Sequence, residues 1–429
     1  MRIVDLTAGL VLSEVDALLS VDEVAESVEK AVRGILQDVL RRKDQAVCEY
    51  TKRFDAFELT ADLMRVREEE IREYAEGADD ELVGILRQAI HNIRDFHEQQ
   101  IEESWEYYAG DGVRLGLRRT PIARAGIYIP GGKATYPSSV LMNVIPAQVA
   151  GVERIVVVTP PRSLEENSLV AAALTLLDLQ EVYRIGGAQA IGALAYGTET
   201  VPKVEKIVGP GNQYVQAAKR QVYGIVDIDM IAGPSEVAIV ADETCDPSWI
   251  AADLLAQAEH DEMAGVWLIC WSKEVAADVF DEVQIQLEKL DRSAIARMAV
   301  INNGITFLVK DEEDAINLVN HIAPEHVEVL MAEPEHVTDN IKNAGAVFIG
   351  RYAPTVVGDY FAGPSHVLPT NRTARFFSPL GVPDFLKRTN IIRYSGRALE
   401  RFGEMIEKFA IAEGLTGHAR SITIRRRQA

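Results

Sequence analysis

The sequence predicts an α/β protein with two parallel-sheet units behind a helical first quarter. Three observations carry this prediction. Residues 21–55 and 78–100 place apolar side chains at helical spacing. From Pro121 onward short apolar runs alternate with helical segments, and the alternation restarts at Glu236. Strands that alternate with helices of this length pair in parallel, with the helices on the sheet faces.

In the first helix, over 21–55, Val24, Val28, Val32, Ile35 and Val39 form the apolar stripe. Leu82, Ile85, Ile90 and Ile93 do the same over 78–100, where His91 and His97 read as surface or packing residues. Strands are expected at 126–129, 154–159, 182–185, 206–208 and 225–229. Helices are expected at 138–149, up to 179, at 189–195 and at 212–222. The second series places strands at 237–240, 266–270, 305–309, 327–330 and 346–349, with helices between them. After Pro379 the strand signal fades, and a helix over 397–412 leads into a short tail. The expected division is an N-terminal extension over 1–24, a first α/β domain over 25–125 plus 236–380, a second over 126–235, and a tail over 381–429.

Composition narrows the function. The 429 residues suggest two to four units at roughly 100–200 residues each. Apolar residues are 48% of the chain, too many for an unfolded one. Lys and Arg number 44 against 65 Asp and Glu, a net charge of −21 that repels phosphate backbones and argues against nucleic-acid partners. The run Arg425-Arg426-Arg427 is expected to be a solvated tail. Cys48, Cys245 and Cys270 form no CxxC pair, so neither a disulfide framework nor a thiolate zinc site is expected. The first residues lack a leader pattern. The most apolar window, 140–158, is broken by Pro146, Gln148, Glu153 and Arg154. No membrane partner and a cytoplasmic location are expected.

Four glycine clusters sit at expected strand ends: Pro130-Gly131-Gly132-Lys133, Gly186-Gly187-Ala188-Gln189, Gly209-Pro210-Gly211-Asn212 and Ala232-Gly233-Pro234-Ser235. Glycine lets a backbone approach a phosphate, and a following helix offers free N–H groups to an anion. Any one cluster is explained by the demand of turns for positive φ. Together they favour a surface for a nucleotide or phosphate-bearing cofactor. None is GxGxxG, and Ala134 stands where a P-loop needs Ser or Thr.

Gln257 and His260 lie three apart on one helix face, in a helix for which Asp246 and Pro247 supply a start. Asp359 and His418 each stand beside a glycine. Imidazole, carboxylate and carbonyl oxygen suit zinc, or manganese in an octahedral site. Spacing alone does not join these four, and each is equally an ordinary helix or turn residue. Ala323-Pro324-Glu325-His326 joins a helix end to a strand. A turn there would aim Glu325 and His326 into one cleft as an acid/base pair; without it they form a surface salt bridge.

Read together, these motifs resemble the histidinol dehydrogenase family. The resemblance runs in order through GIYIPGGKATYPSSVLMN (126–143), GGAQAIGALAYGTE (186–199), GPGN (209–212) and AGPSE (232–236). It continues through DLLAQAEH (253–260), APEH (323–326), GDYFAGPSHVLPT (358–370) and AEGLTGHARS (412–421). It implies two incomplete Rossmann-like domains, a tail that interlocks in a homodimer, and one zinc per active site. It also implies oxidation of L-histidinol through L-histidinal to L-histidine with two NAD. Carried over by motif, the zinc ligands are Gln257, His260, Asp359 and His418, the last supplied by the other subunit. Glu325 and His326 are the acid/base pair. Ser235, His366 and Glu413 contact substrate, as do His326 and the four ligands. Tyr128, Gln189 and Asn212 contact NAD. Ser365 and the run Asp261-Glu262-Met263 depart from the family pattern, neither at a carried-over position.

Three other readings compete, one of them a catalytically silent scaffold, against which the intact set of site residues weighs. A relative oxidising a sulfonated diol would have no use for the substrate carboxylate of Glu413. A zinc hydrolase with Glu325 as base would leave the glycine turns idle and produce no NADH.

Overall fold

The computed structural model describes residues 1–19, 25–131 and 136–427. Val24, Gly132, Lys133 and Ala134 lie outside them.

Two parallel sheets form the body. The five-stranded sheet runs in the order Glu181–Tyr183, Arg154–Val158, Arg124–Tyr128, Lys206–Val208, Asp227–Ile228. Its strands are continuous apolar runs because helices cover both faces. Ile127, Ile155 and Val157 face one core; Tyr128, Val156 and Val158 face the other. The order reverses between Arg124–Tyr128 and Lys206–Val208, which opens a crevice beyond their carboxyl ends.

The six-stranded sheet runs Arg2–Asp5, Gly304–Leu308, Gly265–Cys270, Glu236–Ala241, His326–Leu330, Ala346–Ile349. Every pairing in both sheets is parallel. The first strand belongs to the segment expected as an extension; it pairs Arg2 with Ile305 and Asp5 with Leu308.

The expected helix over 21–55 is two helices, Glu26–Arg42 and Asp44–Asp55, because Lys43 turns the chain at φ +49. Val28, Val32, Ile35 and Val39 are buried as the stripe requires. In Asp80–Glu98 the buried stripe is Leu86, Ala89, Ile93 and His97, while Leu82 and Ile85 are exposed. Both helical stretches pack on the five-stranded sheet. Residues 28–93 thus share cores mainly with the 126–235 unit, joined by Val367 and Leu380 from the 236–380 stretch.

A third sheet was not expected. Trp105–Gly110 and Val113–Pro121 form a hairpin, and Leu386–Arg393 pairs antiparallel with its second strand. The tail continues as two packed helices, Gly396–Ala412 and Thr416–Arg426. Arg426 is therefore no solvated tail: it lies in a helix and pairs with Glu407 at 3.0 Å. No helix among the described residues is long and apolar enough to cross a membrane.

Candidate active site

Four chain segments converge at the amino edge of the six-stranded sheet. Helix Pro247–Ala258 starts at Asp246, whose side chain accepts the Ser248 N–H, with Pro247 in the first turn. Its last turn presents Gln257, and His260 follows one turn later. Gln257 is buried, and its side-chain nitrogen has no partner. Helix Glu312–Ile322 ends at Ala323 in the left-handed region. This is the reversal that the Glu-His pair needs, and it brings both side chains into one pocket. His326 Nδ1 lies 3.6 Å from Glu325 Oε2. Helix Thr355–Tyr360 supplies Asp359, 3.8 Å from His326 Nε2, and the Asp359 carbonyl oxygen lies 3.0 Å from His366 Nδ1.

Ser235 and Glu236 close the pocket from the neighbouring strand. The Glu236 N–H donates to Glu325 Oε2 at 2.9 Å, and the Ser235 hydroxyl also bonds that carboxyl group. The cluster Ala232-Gly233-Pro234-Ser235 thus precedes its strand instead of following one. It is pinned by a Gly233 N–H donated to Thr370 Oγ1 at 2.6 Å.

Burial sets the protonation of these groups. It pushes the Glu325 carboxyl well above the usual carboxylate range and Asp359 up to about 6. It pushes His326 and His366 down to about 4 and also lowers His260. Neutral imidazoles are bases and metal ligands; imidazolium is neither.

Among the described residues, no three of His, Cys, Asp or Glu stand ready to hold a metal. Within one chain the expected quartet supplies the carboxamide of Gln257, the imidazole of His260 and the carboxylate of Asp359. These donors fit zinc with one position left to fill. His418 and Glu413 do not reach the pocket. Both are exposed, His418 in the final helix and Glu413 just before it.

A second site lies in the crevice of the five-stranded sheet, a cavity of about 770 Å³. It is lined by Tyr128, Gln189 and Asn212, the three residues expected to meet NAD. Gln189 is 1% exposed with both side-chain polar atoms unpartnered, so its amide is not committed to holding the fold. Asn212 caps helix Gln213–Val222 by accepting the Tyr214 and Val215 N–H groups with Oδ1. The Tyr128 hydroxyl accepts the Gly187 N–H at 3.1 Å.

Sequence reasoning missed several residues here. Lys30 and Asp55 line the large cavity from helices Glu26–Arg42 and Asp44–Asp55, where helical spacing marks only the buried stripe. Arg292 shares a smaller cavity of about 210 Å³ with His260. Glu236 is buried at the pocket edge; its place in AGPSE was the available signal.

Comparison with known proteins agrees with this geometry. A family model described as histidinol dehydrogenase matches residues 20–426. Histidinol dehydrogenase of Bacillus subtilis is 53% identical over 412 residues, covering 95% of this chain and 96% of that one. The Aquifex aeolicus histidinol dehydrogenase is 48% identical over 401 residues, covering 94% and 93%. The crystal structure of histidinol dehydrogenase from Elizabethkingia anophelis superposes with a TM-score of 0.94 at 37% identity, over 100% of this chain and 98% of that one. The chain therefore belongs to the histidinol dehydrogenase family and is an enzyme of the oxidoreductase class.

Proposed function

We propose that this protein oxidises L-histidinol through L-histidinal to L-histidine, with two NAD as oxidising substrates and one zinc per active site. The observation that carries the reading is the convergence of Gln257, His260, Glu325, His326, Asp359 and His366 in one pocket, with a separate cavity lined by Tyr128, Gln189 and Asn212.

Gln257, His260 and Asp359 would hold the zinc, with the partner subunit's His418 completing the set. When bound, zinc is a Lewis acid and a good partner for imidazole, so it can anchor the substrate ring. The residues do the rest. His326 removes the hydroxyl proton at Nε2 as the carbinol carbon gives up its hydride to NAD. Glu325 activates the water that adds to the aldehyde before the second hydride leaves. Ser235 and His366 contact the substrate, and Glu413 of the partner subunit offers its carboxylate to the substrate ammonium.

A homodimer is supported by apolar surface left open in one chain. Tyr107, Tyr108, Ile392, Met405 and Phe409 are each at least half exposed on the hairpin, its paired strand and the tail helix. In this reading 126–235 is the NAD-binding domain, 236–380 carries most of the metal site and 381–429 is the interlocking tail; location in the cytoplasm follows from the activity.

The test is metal analysis of the purified protein with NADH stoichiometry. Two NADH per histidinol and one zinc per chain are expected. One NADH per histidinol would mean that the aldehyde is released, and none would remove the reading.

A further inference from the structure

Behind the turn that leads to the cavity residue Asn212 a charged pair is sealed from solvent. The side chains of Lys219 and Asp229 are each 1% exposed and are paired with each other. Both also bind the same glycine. Lys219 Nζ donates to the carbonyl oxygen of Gly209 at 2.9 Å, and the Gly209 N–H donates to Asp229 Oδ2 at 2.8 Å. The other carboxyl oxygen accepts the Met230 N–H at 2.6 Å. Charge-assisted bonds of this kind are stronger than neutral ones.

Gly209 has little room to shift. It opens the turn Gly209-Pro210-Gly211-Asn212 at φ +116, and a Cβ there would sit 2.2 Å from the Tyr128 carbonyl oxygen. The turn is thus pressed against the backbone of one cavity residue, Tyr128, and ends at another, Asn212. Asn212 spends its oxygen on the helix cap, which leaves its amide nitrogen for the cavity. The direction of that nitrogen depends on the path of the turn.

We propose that Lys219 and Asp229 are positioning residues for the dinucleotide: they clamp both polar groups of Gly209 and so set Tyr128 and Asn212 for NAD. The inference rests on reading this cavity as the NAD site. Stability alone does not account for the arrangement, since a buried ion pair can often be replaced by apolar residues without loss.

Two double variants test it in the zinc-loaded enzyme. Both remove the two charges together, so neither buries a lone charge. Lys219→Met with Asp229→Asn removes the ammonium that donates to the Gly209 carbonyl; Lys219→Gln with Asp229→Asn puts a side-chain amide donor in its place, the change at 229 being common to both. NAD binding is measured by calorimetry, with KM for NAD and for histidinol and the melting temperature. In the Met pair the NAD Kd and KM should rise about tenfold or more, with histidinol KM within about twofold. The Gln pair should recover much of the NAD affinity at a similar melting temperature. Equal NAD affinity in the two pairs overturns the assignment. So does loss of the fold, or equal loss of NAD and histidinol binding, because the pair would then serve the whole structure. A wild-type enzyme that binds no NAD would instead remove the reading of the cavity itself.

Discussion

The Nδ1 atom of His326 lies 3.1 Å from the carbonyl oxygen of Glu236. A carbonyl only accepts, so Nδ1 carries the ring proton and Nε2 carries the lone pair. That lone pair faces Asp359, one of the proposed metal donors. Burial, which pushes this imidazole down to about 4, keeps it neutral at pH 7. Strand pairing supports the tautomer, since His326 lies opposite Val237, the neighbour of Glu236.

His326→Asn should therefore lower kcat by about 10²–10⁴-fold, the usual contribution of a positioned base. NAD affinity should stay close to wild type, because the residues proposed to meet NAD line the separate cavity of the other sheet. Single-turnover hydride transfer is the measurement. A loss below about tenfold would assign the proton to another group.

Exposed His418 and half-buried His260 should complement each other across a dimer. His260→Ala and His418→Ala are each expected to be inactive as homodimers. Unfolded together and refolded, they should regain about a quarter of wild-type activity, since half the dimers would hold one intact site. No recovery would place all four ligands in one chain or outside the site.

Replacing Cys48, Cys245 and Cys270 together by Ala or Ser should leave both oxidations intact. Burial pushes Cys245 and Cys270 up to about 11 and raises Cys48, so none offers a thiolate at neutral pH. None lies among the pocket residues. If the variant stops at the aldehyde, with one NADH per histidinol, a thiohemiacetal route is correct after all.

Glu236 should make the fold sensitive to pH. Burial raises its carboxyl to about 7, against the N–H groups of Asn371 and Arg372, which lower it. A raised value means that the protonated form is favoured in the folded protein. Its stabilising contribution is full below the ordinary value of 4.5 and is lost as pH rises through about 7. Glu236→Gln should gain stability relative to wild type by up to about 1.4 kcal/mol per pH unit across that window. Denaturant unfolding at pH 4.5, 6 and 7.5 checks this; a difference that does not change with pH refutes it.

Much of the fold was legible because the body is built on buried parallel strands. Such strands read as unbroken apolar runs, and each expected one from 126 to 349 has a counterpart. The helix carrying Gln257 was legible from Asp246 and Pro247, since capping is local chemistry. The hairpin Trp105–Pro121 and the strand Leu386–Arg393 were not. Trp105, Tyr107, Tyr108 and Ile392 are exposed in one chain, so these segments lack the unbroken apolar runs of the other strands, although Val113, Leu115 and Leu117 do alternate with Arg114, Gly116 and Arg118. Leu386 pairs with Pro121, far away in sequence, and local pattern does not report such pairing.

By itself the sequence determined the residue types that the chemistry needs and the periodicities that bury each strand and helix stripe, because both depend on neighbours within a few positions. Only the tertiary structure decided that Glu325 and Glu236 share a hydrogen bond, that Gln189 is sealed without a partner, and that His418 stays outside the pocket of its own chain. Those facts depend on how segments far apart in the chain pack, and on which polar groups that packing removes from water.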